Sequence, residues 1–116
     1  MKLIDMEEAL LSIMPNVSHF FAHKQTDDYI VWYEDMQGGS TSSDNKKTGQ
    51  SIQGMIHLFT KTEYSPFFDA VQSKLNGLDL SWNFEGILYE EDTKYIHYTW
   101  VFEMENEVMG VGEDRD

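Results

Sequence analysis

Apolar residues recur along this chain at two periods, and the switches between them predict its elements. Met6, Leu10 and Ile13 fall at helical spacing and form one stripe. Asp5 and Glu8 carry capping-box spacing, with Ile4 and Ala9 as a weak staple around them. Pro15 disfavours helical geometry at Met14, so the first helix should end there. Residues 19–25, HFFAHKQ, read as a strand, and residues 25–28 as a short polar turn. Residues 29–34, YIVWYE, are β-branched and aromatic and read as a second strand, and so short a connection predicts an antiparallel hairpin. Being apolar on both faces, that strand should be central or covered on both sides.

Residues 36–49, MQGGSTSSDNKKTG, have no apolar periodicity and read as a loop, longer than connections in compact domains usually are. The alternation then resumes over residues 50–60. Ile52, Gly54, Ile56 and Leu58 point one way, Met55, His57 and Phe59 the other. Gly54 leaves room for a close neighbour, such as a crossing helix. Ser65 as N-cap and Pro66 at the first helical position open a second helix, with Phe67, Val71 and Leu75 on its stripe and Phe68 beside it. Asn76 and Gly77 should end it, Gly77 in a left-handed cap.

Leu78, Leu80, Trp82 and Phe84 alternate with polar residues, and the alternation slips after Gly86, which predicts a bulge. An acidic turn at residues 90–93 leads to a last strand, residues 95–103. There Ile96, Tyr98, Trp100 and Phe102 share one face, and Tyr95, His97, Thr99 and Val101 the other. Residues 104–116 carry an excess of acid and read as a disordered tail beyond a single domain of residues 1–103. The order α-β-β-β-α-β-β predicts an α+β fold, a mainly antiparallel five-stranded sheet with two helices on one face. The other face would carry Tyr33, Phe59 and Tyr95, either as a simple half-buried surface or as an interface.

At 116 residues the chain suits one domain, and its 14% aromatic content supplies ample area to bury. No apolar run is long enough to span a bilayer, and the first residues do not read as a signal or transit peptide. With no cysteine, the chain has no disulfide, thiolate nucleophile or cysteine-based cluster. Eight basic residues against 21 acidic ones give a net charge of −13, which opposes binding to nucleic acid. Such a charge keeps a protein soluble, or suits one that binds basic proteins or mimics DNA.

Nothing in the sequence is arranged for catalysis. His19 and His23 lack any HExxH frame, and His57 and His97 sit inside strands beside aromatics. The carboxylates cluster at turns, where acids are solvated, and do not match a calcium loop. Ser40, Ser42 and Ser43 lack a nucleophile elbow, and Gly38-Gly39 and Gly49 lack the phosphate-loop lysine. No cofactor or metal is expected.

Two segments, DNKKTGQSIQGMIHLFTKTEY and SWNFEGILYEEDTKYIHYTWVFE, together with the YIVWYED strand, resemble the small tail-terminator or tail-completion proteins of siphophages and prophages of Gram-positive bacteria. The resemblance covers most of residues 5–103. It rests on Asp44-Asn45-Lys46, Gln53-Gly54, Phe59-Thr60-Lys61, Trp82, Tyr89-Glu90, Ile96-His97-Tyr98, Trp100 and Glu103. It implies a subunit that self-associates into a ring, commonly a hexamer, which caps the tail tube and docks to the head-completion or connector protein. It also implies assembly in the bacterial host cytoplasm and a final place in the virion, at the head-proximal end of the tail. The expected subunit interface is the loop with Gly38, Gly39, Asp44, Asn45, Lys46 and Lys47, together with the strand residues Tyr95 and His97. The acidic surface would then face a DNA channel without sticking to it, and no sequence-specific nucleic-acid or membrane contact is expected. The alternative is an acidic inhibitor or DNA mimic that binds a basic protein.

Overall fold

Seven elements form in the computed structural model, which describes residues 1–22, 26–37 and 49–107. Helix α1 (Leu3–Leu11) begins earlier than its capping pattern suggests. Asp5 is the acid that closes its first turn, accepting the Lys2 backbone N–H at 2.7 Å, so Glu8 is not the capping residue. Strand β1 (Val17–His19) follows, then β2 (Tyr29–Gln37) and β3 (Gly49–Thr60). Helix α2 (Pro66–Asn76) is capped by the Ser65 hydroxyl, which accepts the Phe67 N–H at 3.1 Å. Gly77 ends it at φ −90°, an ordinary right-handed turn and not a left-handed cap. Strands β4 (Leu80–Glu90) and β5 (Tyr95–Glu107) are the last described elements.

The five strands lie side by side in the order β1-β2-β3-β5-β4, which is not their order along the chain. β2–β3, β3–β5 and β5–β4 are antiparallel, but β1 pairs with β2 in parallel, Val17 opposite Ile30 and His19 opposite Trp32. The sheet is therefore mixed, and the expected antiparallel hairpin does not form. Phe20 adopts φ 75°, which turns the chain out of the sheet directly after His19, so residues 20–22 do not continue the predicted strand, whose residues 23–25 lie outside the described residues. The chain re-enters where β1 began: the Ile30 N–H bonds to the Asn16 carbonyl at 2.9 Å, and the Asn16 amide donates to the Asp28 carbonyl at 3.2 Å. At the other end, β5 continues four residues beyond the predicted boundary at 103. Met104 is part of the core, and the Asn106 side chain accepts the Leu3 N–H at 3.1 Å. Residues 108–116 of the predicted tail lie outside the described residues.

Both helices cover one face of the sheet. Met6 and Leu10 from α1 and Val71 and Leu75 from α2 share a core with Trp32, Ile56, Leu58, Trp100 and Phe102. Each tryptophan of the sheet ties its indole N–H to a helix side chain: Trp32 to Glu7 on α1, Trp100 to Gln72 on α2 and Trp82 to Asn76 at the end of α2. A buried indole leaves its one donor costly if unmade, so the Trp32 and Trp100 bonds hold the two helices over specific rings.

Two glycines shape the sheet. At Gly54 the close neighbour is the next strands and a ring, not a helix. An added Cβ would collide with the Tyr33 carbonyl and lie 2.6 Å from Phe102 Cζ and 2.9 Å from Glu34 Cα. The bulge in β2 beyond Glu34 sits at the same place. Gly86, at φ 150°, allows the predicted bulge in β4, where the register with β5 shifts between Phe84 and Gly86. The Gly54→Ala variant is expected to lose about 3 kcal/mol or more, because backbone and not a flexible side chain blocks the new methyl. Urea unfolding of the two proteins, monitored by tryptophan fluorescence, measures this loss.

Candidate functional site

The sheet face away from the helices carries the longest run of linked polar groups in the described chain. Alternation in β2, β3 and β5 brings Tyr33, His57, His97 and Thr99 to this face, and Glu90 joins them from the end of β4. The Tyr33 hydroxyl lies 2.9 Å from His57 Nε2, His57 Nδ1 lies 2.7 Å from His97 Nε2, and His97 Nδ1 lies 3.1 Å from Glu90 Oε2. The carboxylate can only accept, so His97 Nδ1–H donates to it. His97 Nε2 then accepts from His57 Nδ1–H, and His57 Nε2 accepts from the Tyr33 hydroxyl. The Thr99 hydroxyl is 3.3 Å from both His57 Nδ1 and His97 Nε2, bracing their contact.

Aromatic rings flank this chain of bonds. His97 stacks on Phe59 at 4.2 Å between centroids, and Phe59 stacks on Tyr29 at 4.5 Å. Tyr95 packs edge-on against both Tyr29 and Phe59, donates its hydroxyl to the Asp27 carbonyl at 2.9 Å, and sits under the Lys61 ammonium at 4.8 Å. Phe20, turned out of β1, stacks over Tyr33 at 6.1 Å. Burial pushes the phenols of Tyr29 and Tyr95 above their ordinary range. Tyr95 and Glu90 add to this at Tyr29, and Asp28 and Asp27 at Tyr95. Both stay neutral at neutral pH. The His57 imidazole is lowered to about 4, first by burial and then by the neighbouring His97.

The arrangement is a line of side chains across a sheet, not a convergence around a point. Among the described residues no group of three or more His, Asp or Glu side chains is placed to hold a metal. Nor is any helix among them long and apolar enough to cross a membrane. What the face offers is an ordered surface of rings with fixed donors and acceptors. No protein-family model matches this chain, and no curated protein is significantly similar to it.

The predicted interface residues fare unequally. Gly38, Gly39, Asp44, Asn45, Lys46 and Lys47 lie outside the described residues, as does His23. His97 stands in the middle of the polar line. Tyr95 is only 4% exposed and forms the floor of the face, contributing little area of its own. His19 lies on the opposite face, stacked on Trp32 and 2.7 Å from Glu34 Oε1. Sequence reasoning passed over Tyr33 and Glu90 as members of the line, because their meeting depends on the register of four strands.

It also passed over the outer edge of β4, where Ile87, Leu88 and Tyr89 are 59%, 60% and 52% exposed. Three consecutive apolar residues after a bulge glycine were the available signal, since such a run cannot turn only one face inward.

Because the folded protein keeps His57 neutral where the unfolded chain, at about 6.5, takes up a proton, this residue makes stability fall as pH drops from 6.5 toward 4. Above that window it has no effect, and below it the loss is complete. Partial exposure of the ring reduces the effect to about 1–2 kcal/mol. Unfolding free energies from urea titrations at pH 7 and pH 4 should differ less in His57→Phe than in the natural chain, by that amount.

Proposed function

We propose that this chain is a structural assembly subunit of the tail-terminator kind, which associates with copies of itself through its open sheet face. The observation that carries this reading is that face: Tyr29, Phe59, His57, His97, Thr99 and Tyr33 form a continuous, hydrogen-bonded surface on the side away from both helices. Side chains already locked by their neighbours lose little freedom on docking, which favours a rigid interface. Aromatic and histidine rings held in place by their own hydrogen bonds supply both area and a fixed shape there.

In this reading the copies close into a ring, commonly six, that caps a tail tube and meets a head connector. The ring would form in the bacterial host and end in the virion. The resemblance of the β3 and β4–β5 segments to tail-terminator proteins supplies the partners. The net charge of −13 suits a surface that DNA passes without adhering. The chain acts by contact and not by chemistry.

Light scattering over a concentration series, alone and with purified tail tubes, tests the reading. The expected result is a defined oligomer, formed either in solution or only on tube ends. The Thr99→Arg variant, which sets a long cation in the centre of the face, should remain folded by circular dichroism and lose association at least tenfold. A chain that stays monomeric at every concentration and never caps tubes would overturn the proposal.

A further inference from the structure

β4 is the outermost strand of the sheet on the α2 side, and its far half is uncovered. The bulge at Glu85 interrupts its first half, which leaves residues 86–90 as the flat stretch of edge. An edge strand directs alternate backbone N–H and C=O groups outward, where they can pair with another chain. Natural edges are usually protected by lysine, proline or a covering loop, but here Ile87, Leu88 and Tyr89 stand exposed instead. Beside this edge, on the helix face, lies a groove of about 510 Å³ between β4 and the start of α2. Phe68, Ile87, Ile96 and Tyr98 make its apolar lining.

Two observations say what would fill it. The first is charge. Glu63 and Asp69 line the groove, Glu85 stands at the bulge of the edge strand, and Glu91 and Asp92 follow it, against Lys61 and Lys94 on the other side of the balance. A second copy of this chain would bring its own β4 acids and a charge of −13 to the same place. Like charges facing across a strand pair are destabilising, so the edge suits a basic segment better than itself.

The second observation is Tyr64. It stands at the groove rim 94% exposed, in a left-handed conformation at φ 56°. That backbone costs a non-glycine residue about 1–2 kcal/mol, and it holds an aromatic face out in solvent. An exposed tyrosine among acids is a platform for a lysine or arginine.

We propose that residues 86–90 of β4 and the adjoining groove receive an extended, basic segment of a partner protein, added as a sixth strand. Its alternate apolar side chains enter the groove over Phe68 and Ile87. Its lysine or arginine side chains meet Glu63, Asp69 and Glu85 and lie against Tyr64. Backbone pairing supplies affinity, and the alternation of apolar and basic positions supplies specificity. This partner would be a docking protein of the proposed assembly, and the inference rests on that reading only for the partner's being a protein. The groove lies on the helix face, while Leu88 and Glu90 turn toward the open face, so the two surfaces meet along β4.

The probe is an alternating lysine–valine heptapeptide titrated into the ¹⁵N-labelled chain, both natural and Thr99→Arg, and followed by amide shifts. Shifts should concentrate on residues 86–90 and on Tyr64, in both proteins alike. N-methylation of alternate peptide nitrogens preserves charge but removes the ladder, and should weaken binding at least tenfold. Ile87→Lys and Glu85→Lys, both at exposed positions, should each weaken it by a similar factor.

The proposal is overturned if an alternating glutamate–valine peptide binds as well, or if the shifts scatter over acids elsewhere with no effect of N-methylation. It is also overturned if the β4 amides become protected in the protein alone as its concentration rises, which would make a second copy the occupant. A natural chain found monomeric by scattering would remove the ring while leaving these peptide results to stand or fall separately.

Discussion

The three indole N–H bonds from sheet to helix constrain everything else in this molecule. Trp32 and Trp100 each bury a large ring and must each satisfy one donor away from bulk water, and the half-buried Trp82 adds a third bond at the exposed rim. Glu7, Gln72 and Asn76 answer them, and since all three rings project from one face, both helices are drawn to that side. The two helices together have 20 residues, 9 in α1 and 11 in α2, to cover strands of up to 13 residues. The cover runs out before β4 ends. The exposed β4 edge and the open second face are thus consequences of where the indoles are anchored.

A face that no described helix covers still has to place its polar groups. Here His57, His97, Tyr33, Thr99 and Glu90 satisfy one another in a line, so none is left to compete with a docking partner for hydrogen bonds. The line has a cost in acid. The 2.7 Å contact between the imidazoles needs one ring to offer a lone pair, so the two cannot both carry two N–H protons and keep it. The same geometry that stiffens the surface therefore ties it to the neutral form of His57.

Much of this was legible from residue spacing, and the failures have physical causes. The two faces of β3 and β5 follow from strict alternation, and the start of α2 from Ser65-Pro66, because each depends only on local chain geometry. The Gly86 bulge was visible as a break in that alternation. The parallel β1 was not, because it hinges on Phe20 taking a left-handed conformation that no local signal announces. The extension of β5 through Met104 was hidden by acidic composition, although each acid there alternates with a residue facing the core or its rim. Gly54 was recognised as a close approach, but its neighbours, the Tyr33 carbonyl and the Phe102 ring, come from strands far off in sequence. The polar line is of the same kind: Tyr33, His57, Glu90 and His97 are unremarkable singly and become a unit only through three strand registers.

The two exposed surfaces make different demands on whatever meets them. The open face is internally satisfied, so a partner gains there only by shape and by excluding water from rings already in place. The β4 edge is the reverse: its backbone groups face outward unpaired by any other strand of the sheet, and its apolar side chains have no cover among the described residues. A surface of the first kind favours an identical, rigid neighbour, since preformed geometry can be matched repeatedly around a ring. A surface of the second kind favours a flexible segment that gains order as it pairs. That difference, more than the acidity they share, separates the site proposed for self-association from the site proposed for a distinct partner.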